Sequence, residues 1–61
     1  MKRADLLRRL QQHGCVLKRE GGSHSIWFNP QTREIQAIPR HTEIGENLAR
    51  KICRKLSVPP T

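Results

Sequence analysis

The chain has 61 residues, with twelve Lys and Arg against five Asp and Glu and a formal net charge of +7. A chain of this length buries only about 60% of its unfolded surface, so we expect one domain over residues 1–61 and no large cofactor cleft. The cationic excess favours a nucleic-acid partner in the cytoplasm, and no apolar run is long enough for a membrane span.

The first predicted element is a helix over residues 3–13. Leu6, Leu7 and Leu10 recur at helical spacing and form one apolar stripe, while mostly charged and amide side chains occupy the rest of its surface. Gly14 follows as a residue that tolerates the positive φ found just beyond a helix C-terminus. The pattern therefore predicts an amphipathic helix that ends before Gly14.

Three strands are predicted next, separated by turn residues. They are expected over residues 15–20, 23–28 and 33–38. Gly21-Gly22 breaks the chain after the first strand, and the Asn-Pro-Gln-Thr sequence at 29–32 has turn chemistry after the second. Pro39 ends the third strand or places it at a sheet edge.

The second strand has an alternation that predicts which side faces the core. Ile26 and Phe28 are apolar and share one side, so we expect them to face the helices. His24 has the same parity and is then expected at the rim of that face, or re-aimed by a β-bulge. Ser25 and Trp27 fall on the opposite side, where the indole is a candidate for stacking on a nucleobase or for a protein contact.

The last predicted element is a helix over residues 45–56. Leu48, Ile52 and Leu56 recur at four-residue spacing, with Ala49 and Cys53 beside them. If Gly45 is the N-cap, Ile44 is placed to pack against Ala49 as a hydrophobic staple. Pro59-Pro60 prevents further helix. The order α-β-β-β-α predicts an α+β fold, in which two helices cover one face of a three-stranded antiparallel sheet.

The cysteine spacing and the absence of common cofactor motifs argue against a metal site or a bound cofactor. Cys15 and Cys53 lack metal-ligand spacing and are expected to be small, reduced core residues. The sequence has no Gly-rich phosphate loop, no His and Cys cluster and no paired carboxylates, so we expect neither a metal nor another cofactor.

His24 is the strongest catalytic candidate. A histidine exchanges protons near neutral pH, and RNA carries its own nucleophile, the 2′-hydroxyl. One histidine can move a proton in that reaction while neighbouring cations stabilise the charge that develops on phosphorus. From the residues alone, a partly buried structural histidine is the competing interpretation.

The remaining candidates surround His24 in the sequence or follow the third strand. The predicted RNA contacts are Lys18, Arg19, Gly22, Ser23, Trp27, Arg40 and His41. The glycine lets an RNA backbone approach closely. His41 either contacts phosphate, carries a second proton or fixes its loop by hydrogen bonding.

Two short motifs resemble those of one protein family. The run from Gly22 to Trp27, Gly-Ser-His-Ser-Ile-Trp, resembles the Gly-Ser-His-x-apolar-aromatic motif of HicA toxins. Ile-Pro-Arg-His at 38–41 resembles their second motif, which precedes the last helix. The first helix and the chain length are also similar, so the resemblance covers nearly the whole sequence.

The resemblance implies a double-stranded-RNA-binding-domain-like fold and the activity of a ribosome-independent mRNA interferase from a type II toxin–antitoxin pair. It implies a HicB antitoxin as the partner, with association only through that complex. The motif histidine is the catalytic residue of the family and corresponds to His24 here. Two other hypotheses stay open: a non-catalytic basic RNA-binding module, and a subunit whose main role is protein interaction.

Overall fold

The computed structural model describes residues 1–59. Two helices and three strands follow one another as α1 (Arg3–Gln12), β1 (Val16–Glu20), β2 (His24–Asn29), β3 (Glu34–Pro39) and α2 (Glu46–Lys55). The predicted α-β-β-β-α order is confirmed, and each boundary lies within one residue of its prediction. Pro60, expected to help stop the last helix, lies outside the described residues.

The sheet is antiparallel, and β2 is its central strand. β2 and β3 pair without interruption from His24 opposite Pro39 to Asn29 opposite Glu34. The pairing of β1 with β2 shifts between Leu17 and Arg19, so a β-bulge lies on the edge strand. His24 therefore begins the central strand, paired in register with the last residue of β3.

The two helices cover the face of β2 that the alternation pattern assigned to solvent. We call this the covered face; its buried side chains on the sheet are Ser25, Trp27, Asn29 and Ile38. We call the other side the open face; it carries His24, Ile26 and Phe28 and their cross-strand neighbours Val16, Ile35 and Ala37. The predicted core role of Ile26 and Phe28 is wrong, because Trp27 fills the interior in their place.

α1 packs through Leu6 and Leu10, which are fully buried, while Leu7 only borders the core. The helix ends as predicted, with Gly14 at φ +88 and the Cys15 amide donating to the Leu10 carbonyl at 2.9 Å. A positive φ there suits glycine because a Cβ would be strained.

α2 packs on the core through four of the five residues of its predicted apolar stripe. Ala49, Ile52 and Cys53 face the core, followed by Leu56 just beyond the helix. Leu48 is 40% exposed, so its predicted place in the apolar stripe is wrong. Residues 49, 52, 53 and 56 form the i, i+3, i+4, i+7 pattern, which lies on one face of a helix.

Gly45 and the two cysteines occupy the positions that the sequence pattern indicated. Gly45 is the N-cap residue, without a side-chain capping bond. Cys15 and Cys53 are buried core residues, as predicted. Burial raises the pKa of both thiols, because a thiolate would lose its hydration there.

The N-terminus is tied to the segment that follows β3. The Arg3 amide donates to the Thr42 carbonyl at 2.9 Å, and the Ile44 amide donates to the Met1 carbonyl at 2.8 Å. The Met1 ammonium lies 3.2 Å from a Glu43 carboxylate oxygen. These contacts place the start of α1 beside the end of β3, which is the end of the sheet that carries His24.

Asn29 closes the opposite end of the sheet. Its side-chain amide donates to the Leu56 carbonyl at 2.7 Å, and its side-chain oxygen accepts from the Gln31 amide at 3.0 Å. One buried side chain thus satisfies a carbonyl at the C-terminus of α2 and forms the turn into β3. No helix within residues 1–59 is long and apolar enough to cross a membrane.

Candidate active site

The candidate site lies where the β1–β2 turn meets the exit from β3. His24 is exposed at the start of β2, and Pro39 pairs with it across the sheet. Because β3 ends at Pro39, Arg40 and His41 follow immediately at the same end of the sheet. The fold therefore brings together the two sequence motifs, which occupy residues 22–27 and 38–41 of the chain.

The turn before His24 is closed by a backbone hydrogen bond. The Gly21 amide donates to the His24 carbonyl at 2.8 Å. A Cβ added to Gly21 would lie only 2.8 Å from that carbonyl oxygen, whereas one at Gly22 would meet nothing within 4 Å. Glycine is therefore required at position 21, because the His24 carbonyl lies too close for a side chain. At Gly22 the space beside the turn is open.

A chain of polar contacts supports this turn from the covered face. Arg3 donates from Nε to the Pro39 carbonyl at 2.9 Å and from Nη2 to Ser25 Oγ at 2.7 Å. The Ser25 hydroxyl, although buried, is satisfied because it donates in turn to Glu20 Oε1 at 2.5 Å. α1, β1, β2 and the end of β3 are thereby linked through side chains.

Arg40 completes that chain of contacts. Its Nη2 lies 3.0 Å from Glu20 Oε1 and 2.7 Å from the Gly21 carbonyl oxygen, and donates to both. The guanidinium thus crosses from the exit of β3 to the turn that precedes His24. It supplies a positive charge at the site that is held by two contacts within the protein.

The other predicted cations lie on β1. Lys18 and Arg19 are exposed, and the Lys18 ammonium lies 5.1 Å from the centre of the Phe28 ring on the open face. Ser23, Gly22 and His41 are exposed at the end of the sheet that carries His24. These residues are available to solvent, as RNA contacts require.

Trp27 does not join the site. Its side chain is 4% exposed and belongs to the hydrophobic core, so the predicted placement on the solvent side is wrong. Its Nε1 has no hydrogen-bond partner within residues 1–59. A ring buried on the covered face offers no surface to a nucleobase, and we do not retain it as an RNA contact.

Sequence reasoning missed three residues that the fold brings to this end of the sheet. Arg3, Glu20 and Ser25 come from different elements and connect only in the folded chain. The sequence could have indicated Glu20, because a carboxylate directly before the Gly-Gly turn is unexpected at a site that is otherwise cationic. Arg3 and Ser25 carried no comparable signal.

The comparisons with known proteins agree with the two motifs. A family model described as "HicA toxin of bacterial toxin-antitoxin" matches residues 3–58, which is nearly the whole chain. No curated protein matches the chain significantly. No solved structure does so either.

Proposed function

Because the chain belongs to the HicA toxin family of bacterial toxin–antitoxin systems, we propose that it is a ribosome-independent endoribonuclease that cleaves mRNA in the cytoplasm. The observation that carries the proposal is the position of His24. It is an exposed histidine that begins the central strand, beside an open glycine turn and an anchored arginine. Proton transfer and charge stabilisation are the two tasks that RNA cleavage demands of a protein.

The proposed reaction uses the nucleophile that RNA itself contains. The 2′-hydroxyl loses its proton and its oxygen bonds to the adjacent phosphorus. The bond from phosphorus to the 5′-oxygen breaks, and that oxygen takes up a proton. His24 serves as the general base for the first transfer or the general acid for the second. This chemistry requires no metal, and it leaves a 2′,3′-cyclic phosphate and a 5′-hydroxyl.

The cations have a separate role in the proposal. Arg40 faces the phosphate at the reacting position, where extra negative charge develops. Lys18 and Arg19 bind the neighbouring phosphates along β1, together with the exposed Ser23 and His41. Gly22 contributes by having no side chain, since RNA can then approach the turn.

Cleavage of a defined mRNA tests the function directly. We expect wild type to cleave in the presence of a chelator and to arrest growth when expressed without antitoxin. His24→Ala is expected to lose about 10²–10⁴-fold in rate, the range that general acid–base catalysis supplies. His13→Gln is the matched control, because His13 caps α1 at its C-terminus and does not belong to the site.

Each other result leads to a definite conclusion. Products that end in a 3′-hydroxyl and a 5′-phosphate would exclude attack by the 2′-hydroxyl. Equal cleavage by folded His24→Ala and wild type would remove His24 from the mechanism. Binding of RNA without cleavage by either protein would favour the non-catalytic RNA-binding module.

The proposed partner is a HicB-type antitoxin that covers the end of the sheet carrying His24. A net charge of +7 favours an acidic partner surface. Because the antitoxin binds the folded toxin, the complex should melt at a higher temperature than the free protein. An unchanged melting temperature at saturating antitoxin would contradict this part of the proposal.

A further inference from the structure

Glu20 is an unexpected residue at a site proposed to bind RNA. The protein has only five acidic residues, and this one directly precedes the turn that ends at His24. A carboxylate there repels the phosphates that the cations attract. If the site binds RNA as proposed, this repulsion acts against binding, so a compensating role is expected for the carboxylate.

The contacts of Glu20 indicate what that role is. A single oxygen, Oε1, accepts from the Ser25 hydroxyl at 2.5 Å and from Arg40 Nη2 at 3.0 Å. Ser25 is itself held by Arg3, whose guanidinium also donates to the Pro39 carbonyl. The carboxylate is therefore fixed from the interior side and can in turn fix the arginine.

Arg40 keeps donors available while it is held. Both of its contacts, to Glu20 and to the Gly21 carbonyl, use Nη2. Within residues 1–59, its Nε and Nη1 groups make no hydrogen bond. The Arg40 and Glu20 side chains are 42% and 53% exposed, so these contacts favour one position of the guanidinium and leave N–H groups for a phosphate.

We propose that Glu20 is a positioning residue, which holds the Arg40 guanidinium against the turn that carries His24 so that its free N–H groups bind the phosphate undergoing cleavage. The inference rests on the proposed ribonuclease function. Gly21 is the link between the two groups, because its carbonyl accepts from Arg40 and its amide donates to the His24 carbonyl. Glu20 itself does not touch substrate.

The proposal predicts that Glu20→Gln lowers kcat without raising KM. Glu20→Gln removes one negative charge, so KM for a defined mRNA should fall or stay the same. The neutral amide holds Arg40 less firmly, so kcat should fall on the order of tenfold, as misplacement of a catalytic group implies. A merely structural role would lower the melting temperature and leave kcat per folded molecule unchanged.

The control removes the same charge from a different place. The control variant is Glu46→Gln. Glu46 lies on α2, its side chain is 79% exposed, and its Oε2 is 4.0 Å from Arg50 Nη2. We expect this variant to change salt-dependent RNA affinity slightly and to leave kcat at the wild-type value. Glu20→Asp provides a second variant at the site, since it keeps the charge but shortens the reach to Arg40; kcat should fall without a decrease in KM.

A double-mutant cycle tests whether Glu20 acts through Arg40. We expect the double variant Arg40→Gln/Glu20→Gln to have the same kcat as Arg40→Gln alone. Once Arg40 is replaced, Glu20 has no guanidinium to position, so its loss should have no further effect. Multiplicative losses in the double variant would overturn the proposal. So would wild-type kcat in both folded Glu20 variants, with His24→Ala still inactive.

Failure of the parent function gives a different pattern. If wild type itself cleaves no RNA, the proposed ribonuclease function is wrong and the role of Glu20 is wrong with it. If wild type cleaves RNA and the Glu20 variants have the same kcat as wild type, the ribonuclease function stands. The positioning role of Glu20 alone is then rejected.

Discussion

The two faces of the central strand are the most informative comparison in this molecule. Ser25, Trp27 and Asn29 are 1%, 4% and 3% exposed on the covered face, while the alternating residues of the open face remain accessible. Two polar residues are therefore buried on the covered face, whereas the apolar Ile26 and Phe28 on the open face are only partly buried. Apolar residue counts along one strand do not determine which face is covered.

The polar residues can be buried because each has definite partners. Ser25 bridges Arg3 and Glu20, and Asn29 bridges Leu56 and Gln31. A satisfied buried polar group costs little, whereas an unsatisfied one is strongly destabilising. Trp27 then supplies between them the large apolar area that a small core needs.

The open face has a different organisation. Val16 pairs with Phe28, which pairs with Ile35, so an apolar row crosses all three strands. Val16 and Ile35 are 47% and 46% exposed. His24 lies four residues before Phe28 on the same face, and this accessibility is what makes a catalytic role for it possible.

The largest expected effect comes from replacing one aromatic residue on each face. Trp27→Ala should lower the free energy of unfolding by about 3–5 kcal/mol, because it leaves a cavity in the core. Phe28→Ala should cost about 1–2 kcal/mol, since its ring is only partly buried. Urea denaturation followed by circular dichroism measures both, and an equal or greater loss for Phe28→Ala would reverse our assignment of the faces.

A second pair applies the same comparison to α2. Ile52→Ala should lower the free energy of unfolding by about 2–5 kcal/mol, because Ile52 is fully buried. Leu48→Ala should change it by less than about 1 kcal/mol, since Leu48 is 40% exposed. If thermal and urea denaturation gave similar losses for the two variants, the helix would be rotated from the orientation described above.

The glycines of the turn allow a smaller and more local test on the site itself. Gly21→Ala forces its Cβ against the His24 carbonyl and should reduce cleavage by about tenfold through displacement of His24. Gly22→Ala meets no protein atom and should leave stability unchanged. Any effect of Gly22→Ala should appear in KM, because its methyl group would contact only bound RNA.

Cleavage kinetics and thermal denaturation together distinguish the two glycine variants. A normal rate for Gly21→Ala would show that the position of the turn does not control His24. A lower melting temperature for Gly22→Ala would show that the turn has less room than described.

The smallest expected effect concerns pH and lies at the end of the sheet away from His24. Hydrogen bonds from Ser57 and then Thr32 lower the pKa of the Glu34 carboxyl below its ordinary value. The folded state therefore favours the carboxylate, so its contribution is complete above the ordinary glutamate pKa and is lost as pH falls through the lowered pKa. Glu34→Gln should make the melting temperature slightly less sensitive to acid.

Ser57→Ala is the matched variant for this prediction, because Ser57 donates to Glu34 Oε1 at 2.6 Å. It should reproduce most of the effect of Glu34→Gln, and the two changes should not add. Melting temperatures measured between neutral and acidic pH test this. If the effects of Ser57→Ala and Glu34→Gln added in the double variant, the hydrogen bond between the two residues would not be their common cause.

Much of the fold was predictable from local patterns. The Leu6 and Leu10 spacing defined α1, Gly14 marked its end, and the turn residues separated the strands to within one residue. The motif around His24 and the one around His41 together identified the family, which the match over residues 3–58 confirms. Whether His24 is catalytic stays a prediction.

The orientation of elements was not predictable in the same way. Strand alternation divides residues into two sets but does not say which set faces the helices, since that depends on how total side-chain volume fills the interior. For the same reason the spacing in α2 placed Ala49, Ile52, Cys53 and Leu56 correctly but did not show that Leu48 stays exposed.

Local sequence by itself determined the helices, the strands, the turns, the cationic character and the histidine motif, because each depends on neighbouring residues and short-range periodicity. The tertiary structure alone decided that Trp27 is buried and that Arg3, Ser25, Glu20 and Arg40 connect. These contacts join residues from separate elements, and their partners are set by packing of the whole chain rather than by any segment of it.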